Sequence, residues 1–231
     1  MRPFETVDST MTPDGQVLTL HRHDEDFYIR LDGHELMSSR VHGSEVALAQ
    51  LACSDLLQDE RPKVLVGGLG LGFTLRAALE ILPRGAEVLV AEVLPCVIEW
   101  NHSYLNVLGT PLDDPRVQVH ERDVYDLLGR DCPHPYDIIL LDVDNGPSAR
   151  SLNSNARLYR RHGVTRIAQA LAPAGVVAIW SAYRDEEFAT RLHQAGLKTT
   201  VVPVRARSGQ IGYGQGRSRG SRHTIFLARK S

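Results

Sequence analysis

The sequence predicts an α/β protein: a doubly wound, mostly parallel sheet with a small β appendage at its N-terminus. After residue 62, short apolar runs alternate with amphipathic segments of helical period. This alternation is typical of an open sheet with helices packed on its faces. Before residue 43, apolar and polar residues alternate with a period of two, which indicates strands with one buried face.

The chain therefore divides into a small N-terminal β region, residues 1–42, and a Rossmann-like domain, residues 43–231. In the first region, QVLTLHRH and DFYIRL alternate as strands do, and Asp32-Gly33 is a turn signal after the second of them. HELMSSR is a candidate third strand. HGSEVALAQLACSDLL then changes to a helical period, with Ser44 as a candidate N-cap.

The second region alternates between predicted strands and helices. The run YDIILLDVD is so apolar that we expect both of its faces to be covered, as in a parallel sheet. The predicted strands are VLVGG, EVLVAEV, RVQVHERD, YDIILLDVD, VVAIWSA, TTVVPVRA and HTIFLAR. The predicted helices are FTLRAALEIL, LPCVIEWNHSYL, LYRRHGVTRIAQAL and DEEFATRLHQAG.

Composition narrows the class of protein. The 231 residues are 42% hydrophobic and 23% charged, with a formal net charge of -2. This balance suits a globular protein with no overall attraction to nucleic acid or membranes. We see no apolar run long enough to cross a bilayer and no signal peptide. The three cysteines are far apart and form no CxxC, so a reducing cytoplasm is the predicted location.

Residues 205–222 break this composition, with five arginines, five glycines and no acid. We predict a long mobile loop between the last two strands. Its charge favours an anionic partner such as nucleic acid, and a solvated loop without a partner is the alternative.

The run VLVGGLGLGF indicates a nucleotide site. Gly67, Gly68, Gly70 and Gly72 fall where the first strand of the α/β region meets its helix. Glycine lets the backbone approach a ligand, and a helix start adds free N–H groups. Glu92 ends the next strand, where an acid can accept both ribose hydroxyls. The spacing does not choose between a dinucleotide and a sulfonium nucleoside such as S-adenosylmethionine.

Further acids follow the next two strands. Asp123 ends the third strand of this region and could accept the amine of adenine, although a helix cap is an equal alternative. Asp142 ends the fourth, and Asp144 and Asn145 follow at once. Four successive strands thus deliver candidate ligand residues to the carboxyl edge of the sheet, which is where ligands bind in open α/β folds. His21 and His23 share a strand face without further ligands at a recognisable spacing, so we predict no metal site.

These segments together resemble the spermidine synthases and the bacterial spermidine synthase-like proteins of the polyamine aminopropyltransferase superfamily. The resemblance rests on GGLGLG, AEV, ERDVYD, DVDNGP and LYRRHGVTRIAQALAPAGVVAIW, and extends from about Gln16 to Lys230. It implies a class I methyltransferase-like Rossmann sheet with a small N-terminal β appendage. It also implies a homodimer through the N-terminal region.

The resemblance implies roles for the strand-end residues. Gly68 and Gly70 would approach the sulfonium nucleoside and Glu92 would hold its ribose. Asp123, next to Val124, would hold adenine. Asp142 would match the acid that faces the attacking amine. The implied donor is decarboxylated S-adenosylmethionine, which gives up its aminopropyl group to the acceptor amine.

The sequence departs from this family at the positions that bind the aminopropyl group and the acceptor amine, and keeps those that bind the nucleoside. The family's GGGDGG turn carries an aspartate that holds the ammonium of the aminopropyl group, and GGLGLG has Gly70 or Leu71 there. The Asp-Ser-Ser-Asp-Pro segment becomes DVDNGP, with Asp144 and Asn145 as candidate substrate residues. LMSSR replaces the tyrosine-glutamine pair, leaving Ser38 as a weaker candidate.

Three functions therefore remain open. The first is aminopropyl or related alkyl transfer to an amine, with Asp142 as catalytic residue. The second is methyl transfer from intact S-adenosylmethionine, favoured by the missing acid, because a carboxylate tail is repelled by an aspartate. The third is a non-catalytic nucleoside- or anion-binding protein, favoured by the basic stretch at 205–222.

Overall fold

The computed structural model describes residues 3–54, 60–129, 135–143, 146–147, 155–207 and 221–231. The strands are β1 Glu5–Met11, β2 Val17–His23, β3 Asp26–Leu31, β4 His34–Ser38, β5 Lys63–Gly67, β6 Glu87–Glu92, β7 Val117–Glu121, β8 Tyr136–Leu141, β9 Leu171–Ser181, β10 Leu197–Arg205 and β11 Arg222–Lys230. The helices are α1 Gly43–Cys53, α2 Phe73–Ile81, α3 Pro95–Ser103, α4 Ala156–Tyr159, α5 Arg161–Ala170 and α6 Glu186–Gln194. Most of the basic stretch 205–222 lies outside these ranges.

The N-terminal strands form an antiparallel sheet in the order β1-β2-β3-β4. The predicted turn after β3 is present, with Asp32 and Gly33 both at positive φ. No strand is predicted from the sequence at β1. This edge strand is polar and mostly exposed, and its register shifts between Thr6 and Asp8, so it lacks the apolar alternation that reveals a strand.

The larger sheet has the order β10-β11-β9-β8-β5-β6-β7. Strands β7, β6, β5, β8 and β9 are parallel, while β11 runs antiparallel to both of its neighbours. This confirms the predicted α/β class with its N-terminal β appendage. The chain proceeds from β5 to β7 in one direction and then returns to β8 on the other side of β5. Such a reversal opens a crevice at the carboxyl ends of β5 and β8.

Two helices of the structure differ from their predictions. Helix α1 begins at Gly43 and is preceded by His42, so Ser44 lies inside the first turn and is not its cap. The predicted helix LYRRHGVTRIAQAL is broken at Arg160, which has an extended backbone (ψ 163) and separates α4 from α5. The APAG segment that follows this predicted helix belongs to β9.

The core lies on both faces of the larger sheet. One buried cluster joins α1, α2 and α3 to the N-terminal sheet, and a second lies under α5 and α6. The buried Trp100 of α3 donates its indole N–H to Asp8 of β1 at 2.7 Å, which links the N-terminal sheet to the larger one. The boundary drawn after residue 42 stays a prediction. None of the helices in the described ranges has the length and apolar character that a bilayer crossing requires.

Candidate functional site

The glycine turn leaves β5 at the centre of the sheet edge. Gly68, Gly70 and Gly72 have φ values of 87°, 51° and 80°, a region that L side chains rarely adopt. A Cβ at Gly68 would lie 2.2 Å from the carbonyl oxygen of Asp142. Glycine is therefore required both by the backbone conformation and by the close approach of the segment after β8.

Three side chains pack on this turn. A Cβ at Gly67 would lie 2.8 Å from Val124, and one at Gly70 would lie 2.8 Å from the sulfur of Met37. The side-chain amide of buried Asn101, on α3, donates to the carbonyl of Gly70 at 2.8 Å. Val124 was a predicted site residue, whereas Met37 and Asn101 carry no signal in the local sequence pattern.

Glu92, at the end of β6, binds the turn directly. One carboxylate oxygen accepts the N–H of Leu69 and the other accepts the N–H of Leu94, each at 2.9 Å. The side chain is 7% exposed, and this burial raises the pKa of Glu92 while the backbone N–H groups oppose the rise. The carboxylate of Glu92 is therefore bound by backbone N–H groups of the glycine turn and of the segment that follows β6.

Asp123 follows β7 and caps a short 3-10 turn, Val124–Leu127. Its first carboxylate oxygen accepts the N–H of Tyr125 at 2.8 Å. Its second oxygen accepts from Arg157 of α4 at 2.7 Å, and this guanidinium lies 4.2 Å from the centre of the Tyr125 ring. Asp123 therefore has the capping role that the sequence offered as an alternative. The remaining acceptor positions of its carboxylate are compatible with an adenine amine.

Asp142 follows β8 and lies beside the start of α2. Its side chain accepts the hydroxyl of Thr74 at 2.8 Å, and its backbone N–H donates to the carbonyl of Gly67 at 2.9 Å. Thr74 is buried, with 3% of its surface exposed. The carboxylate is therefore held next to the glycine turn, at the crevice between β5 and β8.

A second carboxyl, Glu45 in the first turn of α1, faces Asp142. Burial and then the negative charge of Asp142 raise the pKa of Glu45 to about 7. The hydroxyl of fully buried Ser44 donates to Glu45 at 2.6 Å and lies 2.8 Å from Nδ1 of His223 on β11. Ser44, Glu45 and His223 were not predicted as site residues, because only the folded chain brings α1 and β11 to the end of β8.

Trp180, near the end of β9, lies next to this cluster. Its ring makes an edge contact with His223, with 4.6 Å between the ring centres. The indole N–H is buried and has no hydrogen-bond partner within the part of the chain that the structure describes. It is a donor that a water or a ligand oxygen can satisfy.

The remaining predicted residues are placed as follows. Asp144 and Asn145 lie outside the described residues. Ser38 is buried at the end of β4, directly after Met37, which makes the contact with the glycine turn. Within the described ranges, no three or more His, Cys, Asp or Glu side chains are grouped closely enough to hold a metal ion.

No protein-family model matches the chain. Among solved structures, it is similar to a spermidine synthase in complex with the transition state analogue AdoDATO, with a TM-score of 0.72 and 19% identity over 98% of this chain and 72% of that one. It is similar to spermidine synthase from Thermotoga maritima, with a TM-score of 0.73 and 20% identity over 98% of this chain and 73% of that one. A probable spermidine synthase from Corynebacterium glutamicum ATCC 13032 gives a TM-score of 0.64 and 14% identity over 99% of this chain and 81% of that one.

At 14–20% identity, the similarity to these three structures establishes the fold of the chain and nothing beyond it. The chain has the spermidine synthase fold, and the resemblance inferred from the sequence is confirmed at that level.

Proposed function

We propose that the chain is a transferase that binds a sulfonium adenosine nucleoside and moves an aminopropyl or related alkyl group to an amine. The observation that carries this proposal is the juxtaposition at one sheet edge of the glycine turn, the buried Glu92 and the carboxylate of Asp142. The spermidine synthase solved with AdoDATO has the same fold, which supports a decarboxylated S-adenosylmethionine-type donor.

In this proposal the nucleoside lies across the ends of β5, β6 and β7. The backbone at Gly68 and Gly70 approaches the sulfonium, and Glu92 accepts the ribose hydroxyls. Asp123 and Val124 bind adenine, since both lie on the 3-10 turn that packs against Gly67. Glycine at the turn fits this role because its backbone can come within contact distance of a ligand.

Asp142 acts on the acceptor. Transfer from a sulfonium is an in-line displacement whose leaving group is a neutral thioether, so the leaving group requires no acid. The protein must hold the two reactants in line, which contributes several kcal/mol in well-oriented reactions. It must also accept a proton from the acceptor ammonium, since only the neutral amine attacks. The carboxylate of Asp142 suits this role, and Asp144, Asn145 and Ser38 are proposed for the rest of the acceptor.

Methyl transfer from intact S-adenosylmethionine is the second candidate, and the glycine turn favours it. Gly70 and Leu71 provide no acid to neutralise an aminopropyl ammonium. The thioether of Met37 packs against Gly70 in the same place. An apolar surface there suits a donor whose tail carries no net positive charge better than it suits an isolated ammonium.

Titration calorimetry with S-adenosylmethionine, its decarboxylated form and 5′-methylthioadenosine tests the donor. We expect the decarboxylated ligand and methylthioadenosine to bind most tightly. A clear preference for S-adenosylmethionine would favour methyl transfer, and no binding of any of the three would remove the nucleoside proposal.

Asp142→Asn tests the acceptor role. The amide oxygen can still accept from Thr74, so nucleoside binding should persist, while transfer to a diamine should fall by roughly 100-fold or more, as expected when a general base is lost. Asp137→Asn is the matched control, because Asp137 lies at the opposite end of β8 and accepts the N–H of Lys63. Equal activity of the two variants would contradict the role of Asp142.

The homodimer and an anionic partner for residues 205–222 remain predictions. Gel filtration at several protein concentrations tests the first. Salt-dependent binding of RNA or DNA before and after trimming of the loop tests the second.

A further inference from the structure

The carboxyl of Glu45 has no role in the function proposed above, although it faces the reacting edge. It lies in the first turn of α1, and that helix packs against α2 and against the sheet next to β8 and β9. Asp142 is the charged neighbour that acts on it. Two carboxylates held close together in a half-buried place repel one another unless a cation or a shared proton lies between them. The fold therefore holds Glu45 and Asp142 as a pair that is stabilised when a cation binds between them.

A chain of hydrogen bonds fixes the orientation of Glu45. Ser44 has a single hydroxyl proton, and it points to Glu45 at 2.6 Å. With that proton committed, the contact of 2.8 Å between Ser44 and Nδ1 of His223 requires the N–H of His223 to donate. Burial lowers the pKa of His223, which keeps its ring neutral with one N–H to give. His223 thus donates to Ser44 and Ser44 donates to Glu45, while Thr74 donates to Asp142 at 2.8 Å.

We infer that Glu45 and Asp142 together form a two-carboxylate subsite for the cationic amine of the acceptor, and that Ser44 and His223 position Glu45 within it. The ligand class is an alkyl amine or diamine that is protonated in solution. The inference deepens the proposed transfer function and rests on it for the chemical step, but the binding of a cation to the pair does not require the nucleoside.

The acceptor enters as an ammonium and gives one proton to the carboxyl pair. The lone pair of its nitrogen then attacks the carbon next to the sulfonium, so that the C–N bond forms and the C–S bond breaks. The electrons of the C–S bond go to sulfur, which leaves as a neutral thioether. The product leaves as a secondary ammonium, and the proton on the pair returns to solvent.

Amine binding in the absence of nucleoside tests the subsite directly. The probes are 1,4-diaminobutane and n-butylamine, titrated into the 231-residue chain at about pH 8, above the pKa of Glu45. We expect the wild type to bind and to gain thermal stability. Glu45→Gln keeps an acceptor for Ser44 but removes the charge, and should weaken amine binding roughly tenfold or more.

Glu80→Gln is the matched control, because Glu80 is an exposed carboxylate on the neighbouring helix α2 and should leave amine binding unchanged. Circular dichroism establishes that each variant is folded. Equal amine affinity of the wild type and Glu45→Gln would overturn the inference. Since nucleoside binding is measured separately, that result would leave the transferase proposal standing.

Two substitutions of His223 test positioning. Asparagine can place an amide N–H where Nδ1 stands, whereas leucine fills similar space without a donor. We expect His223→Leu to weaken amine binding several-fold and His223→Asn to retain most of it. An equal loss in both variants would indicate a packing role only and would contradict the positioning role.

Discussion

At the scale of single residues, Glu92 determines how the glycine turn is held. Both of its oxygens accept backbone N–H groups, from Leu69 and Leu94. Burial nevertheless raises the pKa of this carboxyl. The backbone hydrogen bonds stabilise the ionised form of Glu92, but they offset only part of the effect of burial on its pKa.

Glu92→Gln should lower the free energy of unfolding by about 1–3 kcal/mol, because one buried backbone N–H would then face an amide N–H. Adenosine ligands should also bind more weakly. Glu87→Gln is the control on the same strand, since Glu87 is 59% exposed and lies 3.9 Å from Lys63, and it should change stability by less than about 0.5 kcal/mol. Urea denaturation of both variants measures the difference, and similar losses would contradict this reading of Glu92.

A second test at the scale of single residues compares Gly68 of the glycine turn with Gly33 of the N-terminal sheet. Gly68→Ala and Gly33→Ala place a Cβ at nearly the same backbone angle, φ 87° and 80°, so both should lose about 1–2 kcal/mol. Only Gly68 has a backbone oxygen 2.2 Å from the new Cβ, whereas nothing lies within 4 Å at Gly33. Gly68→Ala should therefore be the more destabilised in thermal melts and should alone lose nucleoside binding. Equal melting temperatures would show that the turn can move away from Asp142.

At the scale of elements, the 3-10 turn after β7 is held by two arginines that lie over the Tyr125 ring. Arg157 of α4 ion-pairs with Asp123, and its side chain is 46% exposed. Arg166 of α5 donates to the carbonyls of Tyr125 and Leu128. The first contact joins an exposed guanidinium to a half-buried carboxylate, and the second donates to backbone oxygens at the end of the turn.

Arg166→Leu should therefore cost about 1–3 kcal/mol of unfolding free energy, since it removes the donor to the Leu128 carbonyl and one of the two donors to the Tyr125 carbonyl. Arg157→Leu should cost less than about 1 kcal/mol, as exposed ion pairs do. Adenosine affinity should show the opposite order, with the larger loss in Arg157→Leu, because Arg157 binds Asp123, which is the proposed adenine-binding residue. Denaturation measures the loss of stability in both variants, and calorimetry measures the loss of adenosine affinity. A larger loss of stability in Arg157→Leu than in Arg166→Leu would contradict the structural role given to Arg166.

At the scale of the whole molecule, the carboxyl pair links stability to pH. Burial and Asp142 raise the pKa of Glu45 to about 7 from an ordinary 4.5, so the folded chain binds this proton more tightly than the unfolded chain does. The resulting stabilisation is complete below about pH 4.5 and is lost as the pH rises through about 7.

The free energy of unfolding of the wild type relative to Glu45→Gln should fall by an amount on the order of 3 kcal/mol between about pH 4.5 and pH 8. Titration of His223 is common to both proteins and cancels. Denaturation at several pH values measures the difference, with Glu80→Gln expected to run parallel to the wild type. A constant difference between the wild type and Glu45→Gln would mean that Glu45 titrates as it does in the unfolded chain.

The sequence located the half of the site that lies on parallel strands. Glu92 and Asp142 could be placed together because the carboxyl ends of parallel strands share one edge, which requires only the strand assignments. Glu45, Met37 and Asn101 could not, since their positions depend on how helices and the N-terminal sheet pack. Ser44 and its partner His223 are 179 residues apart, and no local pattern encodes such a contact.

The order of the strands also affects how the larger sheet assembles during synthesis on the ribosome. Strand β11 is the last element of the chain, yet it lies between β9 and β10. While the chain is still emerging, β10 has no strand beside it, because its one neighbour in the described part of the sheet is β11. The edge of β9 stays open for the same time. Strand β11 pairs with both β9 and β10 and brings His223 next to Ser44. Before β11 is synthesised, the nascent chain exposes unpaired strand edges, to which chaperones can bind.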